Sequence, residues 1–186
     1  MIKKQNYLKH AIVLFLLLLL MQPERAWAAY ENVEFSSLTN HDGLTNSQVG
    51  AILKDTRGYI WFGTQSGLCR FDGFRMKTFY YSNTDDKSLP NNSVDELQQD
   101  YDGNIWVHTS VGYSIYKYDE EQFERKPEEW LKNIHVQGPP YKLLIDKDKN
   151  MWIAVYGQGL YYHNAKTKNT YLFKFTKKAQ PGCLKE

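Results

Sequence analysis

The sequence has little of what catalytic and metal-binding proteins rely on. It holds two cysteines in 186 residues, Cys69 and Cys183, and neither stands at metal or redox spacing. Cys69 falls inside a repeated stretch and Cys183 in a polar tail, so two unpaired thiols or a loose tail bridge are expected, not a structural staple. No hydrophobic run is long enough to cross a bilayer. The longest, Ala11 to Met21, has eleven residues, against the ~20 that a spanning helix needs. Helical periodicity is missing outside a short turn at Pro127–Lys132. No block of basic residues offers a footprint for nucleic acid or anionic lipid.

The first 28 residues are set apart from the rest. Lys3, Lys4 and Lys9 make a basic start, the eleven-residue apolar run follows, and Ala26-Trp27-Ala28 places small residues where a signal peptidase reads. The order predicts a secretory signal over 1–28, a mature chain of 29–186, and a periplasmic location. The leader carries Lys3, Lys4, Lys9 and Arg25 against Glu24, leaving 19 basic and 20 acidic side chains of the totals of 23 and 21. The apparent positive charge therefore belongs to the leader. No membrane span is expected in the mature chain.

What is present is a repeat. "DTRGYIWFGTQSGL" (55–68) returns as "DYDGNIWVHTSVGY" (100–113) and again as "DKDKNMWIAVYGQGL" (146–160). Asp55, Asp100 and Asp146 align, with Trp61, Trp106 and Trp152 each six residues later. Gly58 and Gly103 close the first two turns. Gly67 and Gly112 follow their Trp by six residues and Gly159 by seven. A period of this size means a solenoid or a propeller. Each repeat divides into four short runs rich in β-branched and aromatic residues, in the first about Val49–Lys54, Tyr59–Gln65, Leu68–Phe71 and Arg75–Tyr80. Turn residues separate them, and Asp72-Gly73 reads as a hairpin of type I′. Four strands per repeat of about 45 residues is the blade of a β-propeller. The fold class is therefore all-β, as three four-stranded antiparallel blades of an incomplete propeller.

Side chains alternate along a strand, so Trp61 and Gly63 share one face while Ile60 and Phe62 share the other. A large residue beside a small one suits face-to-face packing of neighbouring blades. The Asp caps the N–H groups of its own turn. The repeat residues Asp55, Gly58, Trp61, Gly67, Asp100, Gly103, Trp106, Gly112, Asp146, Trp152 and Gly159 are thus read as architectural.

On these residues, and above all on "GLTNSQVGAILKDTRGYIWFGTQSGLCRFDGFRMKTFYY" (43–81), the sequence resembles the two-component regulator propeller repeat. The resemblance covers about 35–175. It implies the periplasmic sensor of a hybrid two-component histidine kinase, in which tandem propellers recognise oligosaccharides and signal through a membrane helix to kinase and receiver modules. Those later modules have no counterpart in this sequence. Two departures stand out. His108 replaces Gly63 in the second repeat, and Ala154-Val155 replace Gly-Thr in the third. The third turn lacks its Gly, so Asn150 is expected to take the left-handed conformation.

The Asp-led turns also resemble two other sites. "DYDGN" and "DKDKN" look like the opening of a calcium loop, but Val111 and Gly157 occupy the place of the closing carboxylate. No metal or cofactor is expected. The Asp turn also resembles that of sialidase-like propellers, yet no carboxylate pair suited to glycoside hydrolysis stands out. A periplasmic propeller enzyme (glycosidase or lyase-like) and a protein-interaction scaffold remain the alternatives to an exported, non-catalytic, glycan-responsive sensor segment. His108 is the one candidate ligand contact, either lining a central channel or serving as a packing residue.

The expected organisation is a signal at 1–28, then an N-terminal strand region at 29–43 that contributes to a missing last blade. Blades follow at 44–88, 89–135 and 136–175, with a polar tail at 176–186. Closed propellers have at least four blades, so this reads as an N-terminal piece of a longer sensor. Its expected partners are an oligosaccharide, the remaining blades and sensor modules, and further copies of itself through open blade faces. Nucleic acid is not among them.

Overall fold

Three Asp-led turns set the fold, because each joins the first two strands of a four-stranded sheet. A computed structural model describes residues 35–174. The leader, residues 29–34 of the expected N-terminal strand region, and the tail with Cys183 lie outside that range. The first sheet contains β1 (Val49–Lys54), β2 (Ile60–Thr64), β3 (Gly67–Phe71) and β4 (Met76–Phe79). The second contains β5 (Val94–Gln99), β6 (Ile105–Thr109), β7 (Gly112–Lys117) and β8 (Gln122–Glu124). A short helix, α1 (Pro127–Lys132), leads to β9 (Pro140–Ile145), β10 (Met151–Val155), β11 (Gly159–His163) and β12 (Thr170–Phe173). Each sheet is an antiparallel meander with its strands in chain order, so the described residues form three propeller blades. Among them no helix is long and apolar enough to cross a membrane.

The Asp carboxylate explains the turn. Asp55 Oδ1 accepts the N–H groups of Arg57 (2.9 Å) and Tyr59 (3.0 Å), while Oδ2 accepts the Trp61 indole N–H at 2.7 Å. Asp100 repeats the scheme with Asp102 N, Asn104 N and the Trp106 indole at 2.9 Å. Asp146 holds Asp148 N and Asn150 N, both at 2.9 Å. One carboxylate thus satisfies two turn amides and orients the aromatic that fills the blade. Gly58 and Gly103 take the left-handed conformation that the turn demands (φ 93° and 85°). In the third turn that conformation falls on Lys149 (φ 64°), not on the expected Asn150. Lys149 stands three residues after Asp146, where the glycines stand in the other turns, and Asn150 instead donates its side-chain amide to Asp146.

The second hairpin of the first blade also differs from the expected type I′ turn. Phe71 pairs with Met76 and Asp72 N bonds Arg75 O, which makes Gly73-Phe74 the central pair. Only Gly73 has positive φ (100°), the pattern of type II′.

Blades stack face to face. Trp61, Leu68 and Phe79 of blade 1 share a core with Val94, Leu97, Ile105, Val107 and Tyr116 of blade 2. Trp106, Tyr113 and Ile115 on the other face of blade 2 meet Leu143, Met151, Ile153 and Tyr161 of blade 3, with Leu131 of α1 closing the rim. Trp61 and Trp106 are 0% and 1% exposed, as expected of residues between blades. A Cβ added to Gly63 would stand 2.6 Å from Val94 Cγ1, so the glycine is the hole into which the next blade's first strand inserts. The first strands β1, β5 and β9 contact one another in sequence and form the inner edge.

Candidate functional site

The inner edge departs from regular pairing at one repeat position. Each first strand has a register shift near its start: between Val49 and Ala51, between Val94 and Glu96, and opposite Ala154/Val155, where Pro140 and Lys142 flank the shift. The residue at the irregularity is Gly50, Asp95 or Tyr141, five before the repeat Asp in every case. Bulges re-aim a side chain at the rim of a sheet. A Cβ on Gly50 would lie 3.4 Å from Asp95 Cα, and Lys142, next to Tyr141, forms an ion pair with Glu96, next to Asp95. The three bulges therefore form a contiguous row.

Asp95 is half exposed, and its Oδ1 lies 2.6 Å from His108 Nδ1. The His108 ring packs on Tyr113, with centroids 4.4 Å apart. Tyr113 donates its hydroxyl to Glu96 (3.1 Å) and accepts the N–H of Leu143 (3.0 Å), tying blade 2 to β9. Burial, the main cause, pushes the Tyr113 hydroxyl well above its ordinary range. The sequence left His108 as a channel-lining or a packing residue, and its ring makes contacts of both kinds, with Asp95 at the rim and with Tyr113. It lies on the second strand of its blade, partly buried, and meets the inner edge at Asp95.

The row gives a rim with an anionic acceptor at Asp95, an imidazole beside it and an exposed phenol ring at Tyr141. It contains no nucleophile with a base at hand. Among the described residues no three His, Cys, Asp or Glu side chains cluster closely enough to share a metal ion. The repeat carboxylates are committed to amide and indole donors. Burial raises the Asp100 pKa, opposed by bonds from Asn104 and Trp106. Burial also opposes ionisation of Asp146, but the bonds from Asn150, Asp148 and Trp152 outweigh it and leave the pKa lowered. Cys69 is a buried free thiol against Thr45.

Sequence reasoning located His108 and missed Asp95 and Tyr141. The signal was available, because the apolar alternation slips by one residue at "VGA", "VDE" and "PYK", six to four residues before each repeat Asp.

Comparison with known proteins agrees with this architecture. The model of the two component regulator propeller matches residues 43–66 and 88–110. A curated relative, Histidine kinase P4 of Formosa agariphila, is 41% identical over 61 residues, which is 33% of this chain and 4% of that protein. The extracellular domain assigned to a hybrid two component system of B. thetaiotaomicron has a solved structure similar in fold. Its TM-score is 0.53 at 24% identity, covering 74% of this chain and 20% of that one. This chain therefore spans a small part of the length of both relatives. Two of its three Asp–Trp blades thus match the two component regulator propeller repeat, and the chain shares its fold with that extracellular domain.

Proposed function

We propose that this chain is the exported, ligand-sensing propeller region of a glycan-responsive hybrid two-component sensor, and that it performs no catalysis itself. The observation that carries the reading is the repeat match at 43–66 and 88–110, together with similarity to a histidine kinase and to an extracellular sensor domain. The basic, apolar and small-residue order of 1–28 supports export to the periplasm. The ligand reading draws on the rim. A half-exposed carboxylate can accept two sugar hydroxyls, and an exposed tyrosine ring offers a face to the C–H side of a pyranose. His108 holds Asp95 in place, and its second nitrogen is a further polar contact for the ligand. Binding would reorder the blades and pass that change to the signalling modules of the longer protein.

The test is calorimetric titration of the full chain with a panel of oligosaccharides, repeated with His108→Ala and Tyr141→Ala. At least one glycan should bind, and each substitution should weaken it about tenfold or more, a loss near 1.4 kcal/mol. A panel without binding, or binding that both substitutions leave intact, contradicts the reading.

A further inference from the structure

The joint between blades 2 and 3 is built differently from the joint between blades 1 and 2. β9 stands at the end of its sheet, so no strand pairs with its inner edge, and side chains of blade 2 take the backbone groups there. Gln98 donates its side-chain amide to Leu143 O (2.8 Å) and accepts the N–H of Ile145 (2.5 Å). The Tyr113 hydroxyl accepts the N–H of Leu143 (3.0 Å). Two side chains thus satisfy three backbone groups of the next blade's first strand. By repeat position, Gln98 and Tyr113 correspond to Leu53 and Leu68 in blade 1, which have no polar group to offer β5. That joint is made by apolar packing, with Trp61, Leu68 and Phe79 against blade 2.

The same change of residues ties the second joint to the rim. His108 takes the place of Gly63 and Tyr113 that of Leu68, and each pair stands opposite across its ladder. A stacked imidazole and phenol, with centroids 4.4 Å apart, replace a glycine and a leucine. His108 Nδ1 meets Asp95 Oδ1 at 2.6 Å on one side. On the other, the Tyr113 hydroxyl donates to Glu96 Oε2 (3.1 Å) while it accepts from Leu143. The second oxygen of Glu96 pairs with Lys142. Because Lys142 precedes Leu143, these bonds close a ring across the joint through Tyr113, Glu96, Lys142 and Leu143. Tyr113 is buried, so displacing its hydroxyl would leave the Leu143 N–H without an acceptor in a low-dielectric site.

We infer that Tyr113 is a positioning residue that couples the Asp95–His108 pair of the rim to β9, so that a shift of Asp95 is carried into blade 3. As the route of a ligand signal this rests on the reading of the rim as the ligand site; as a coupling between two blades it does not. The leucines of blade 1 give β5 no such link, so blade 3 is the blade that responds.

The test is amide hydrogen exchange of the full chain, read residue by residue by NMR without ligand, with far-UV circular dichroism to verify folding. Asp95→Ala leaves His108 without its partner and should speed exchange of the Leu143 N–H at least about threefold. The Ile145 N–H, held by Gln98, should stay near its wild-type rate. Tyr113→Phe keeps a ring against His108 and lacks the hydroxyl, and His108→Ala breaks the link one step earlier. Added to either, Asp95→Ala should change Leu143 exchange by less than about 1.5-fold. Three results overturn the proposal: Leu143 exchange unaffected by Asp95→Ala, an equal change at Ile145, or an effect of Asp95→Ala that persists in either background. A glycan panel without binding contradicts the ligand reading alone, because this coupling is measured on the free chain.

Discussion

At the scale of the residue, Gly63 and Trp61 work as a pair. The indole fills the space between blades, and the absent Cβ lets Val94 approach it. Gly63→Ala would press a methyl group onto Val94 Cγ1, 2.6 Å away. Such overpacking costs about 1–3 kcal/mol, so denaturant unfolding of Gly63→Ala should show a loss in that range, largely recovered by adding Val94→Ala. A second residue-scale effect lies at His163, which is buried with Nδ1 against the Thr170 hydroxyl (2.8 Å) and Nε2 without a partner among the described residues. Thr170 donates to Ile134 O, so Nδ1 carries the proton and the ring is neutral. Burial and then the Lys168 ammonium push its pKa below the ordinary 6.5, against a smaller pull from Asp102. The unfolded chain therefore takes up a proton first. Stability is lost as the pH falls through 6.5 and stops falling below the folded-state value, at up to ~1.4 kcal/mol per pH unit. Unfolding measured at pH 7.5 and 5.5 should show this loss, and His163→Gln should remove most of it.

At the scale of the element, most strands were legible because their alternation and turn residues are strong. The four runs read in the first repeat match β1–β4 to within a residue at each end, and α1 occupies the expected Pro127–Lys132. What was not legible depended on neighbouring strands. The left-handed residue of the third turn is Lys149 because the repeat geometry fixes that position, whatever the residue's own preference. The bulges at Gly50, Asp95 and Tyr141 are slips in pairing, visible only against a partner strand. His108 could be located on a strand but not assigned its distance from the axis. The connection from β4 to β5 is likewise held from far along the chain. Arg125 Nε donates to Ser88 O, and the two N–H groups of its Nη2 are shared among Ser82 O, Asp85 O, Leu89 O and the Ser88 hydroxyl, all within 3.2 Å. A guanidinium serving this many carbonyls cannot be replaced by an ammonium. Arg125→Lys should speed amide exchange across 82–89 and cost about 1.5–3 kcal/mol, the worth of charge-assisted bonds, in denaturant unfolding.

At the scale of the whole molecule, the residues that build the blades are not those to which the proposal assigns ligand binding. The repeat Asp, Trp and Gly positions build the blades, whereas Gly50, Asp95 and Tyr141, which differ between repeats, are set along the inner rim. The motif that draws the eye in the sequence is consequently the least informative about ligand. The most direct measurement of this division is the unfolding free energy of the full chain with Asp55→Ala, Asp100→Ala and Asp146→Ala. Asp55→Ala strands two turn amides, the Trp61 indole and the Tyr118 hydroxyl. At about 1–3 kcal/mol for each buried unsatisfied group, a loss of roughly 3 kcal/mol or more is predicted there. A similar loss is predicted for the buried Asp100, and a smaller one for the less buried Asp146. Three variants as stable as wild type would contradict the account, because the repeat carboxylates would then not be what holds the blades.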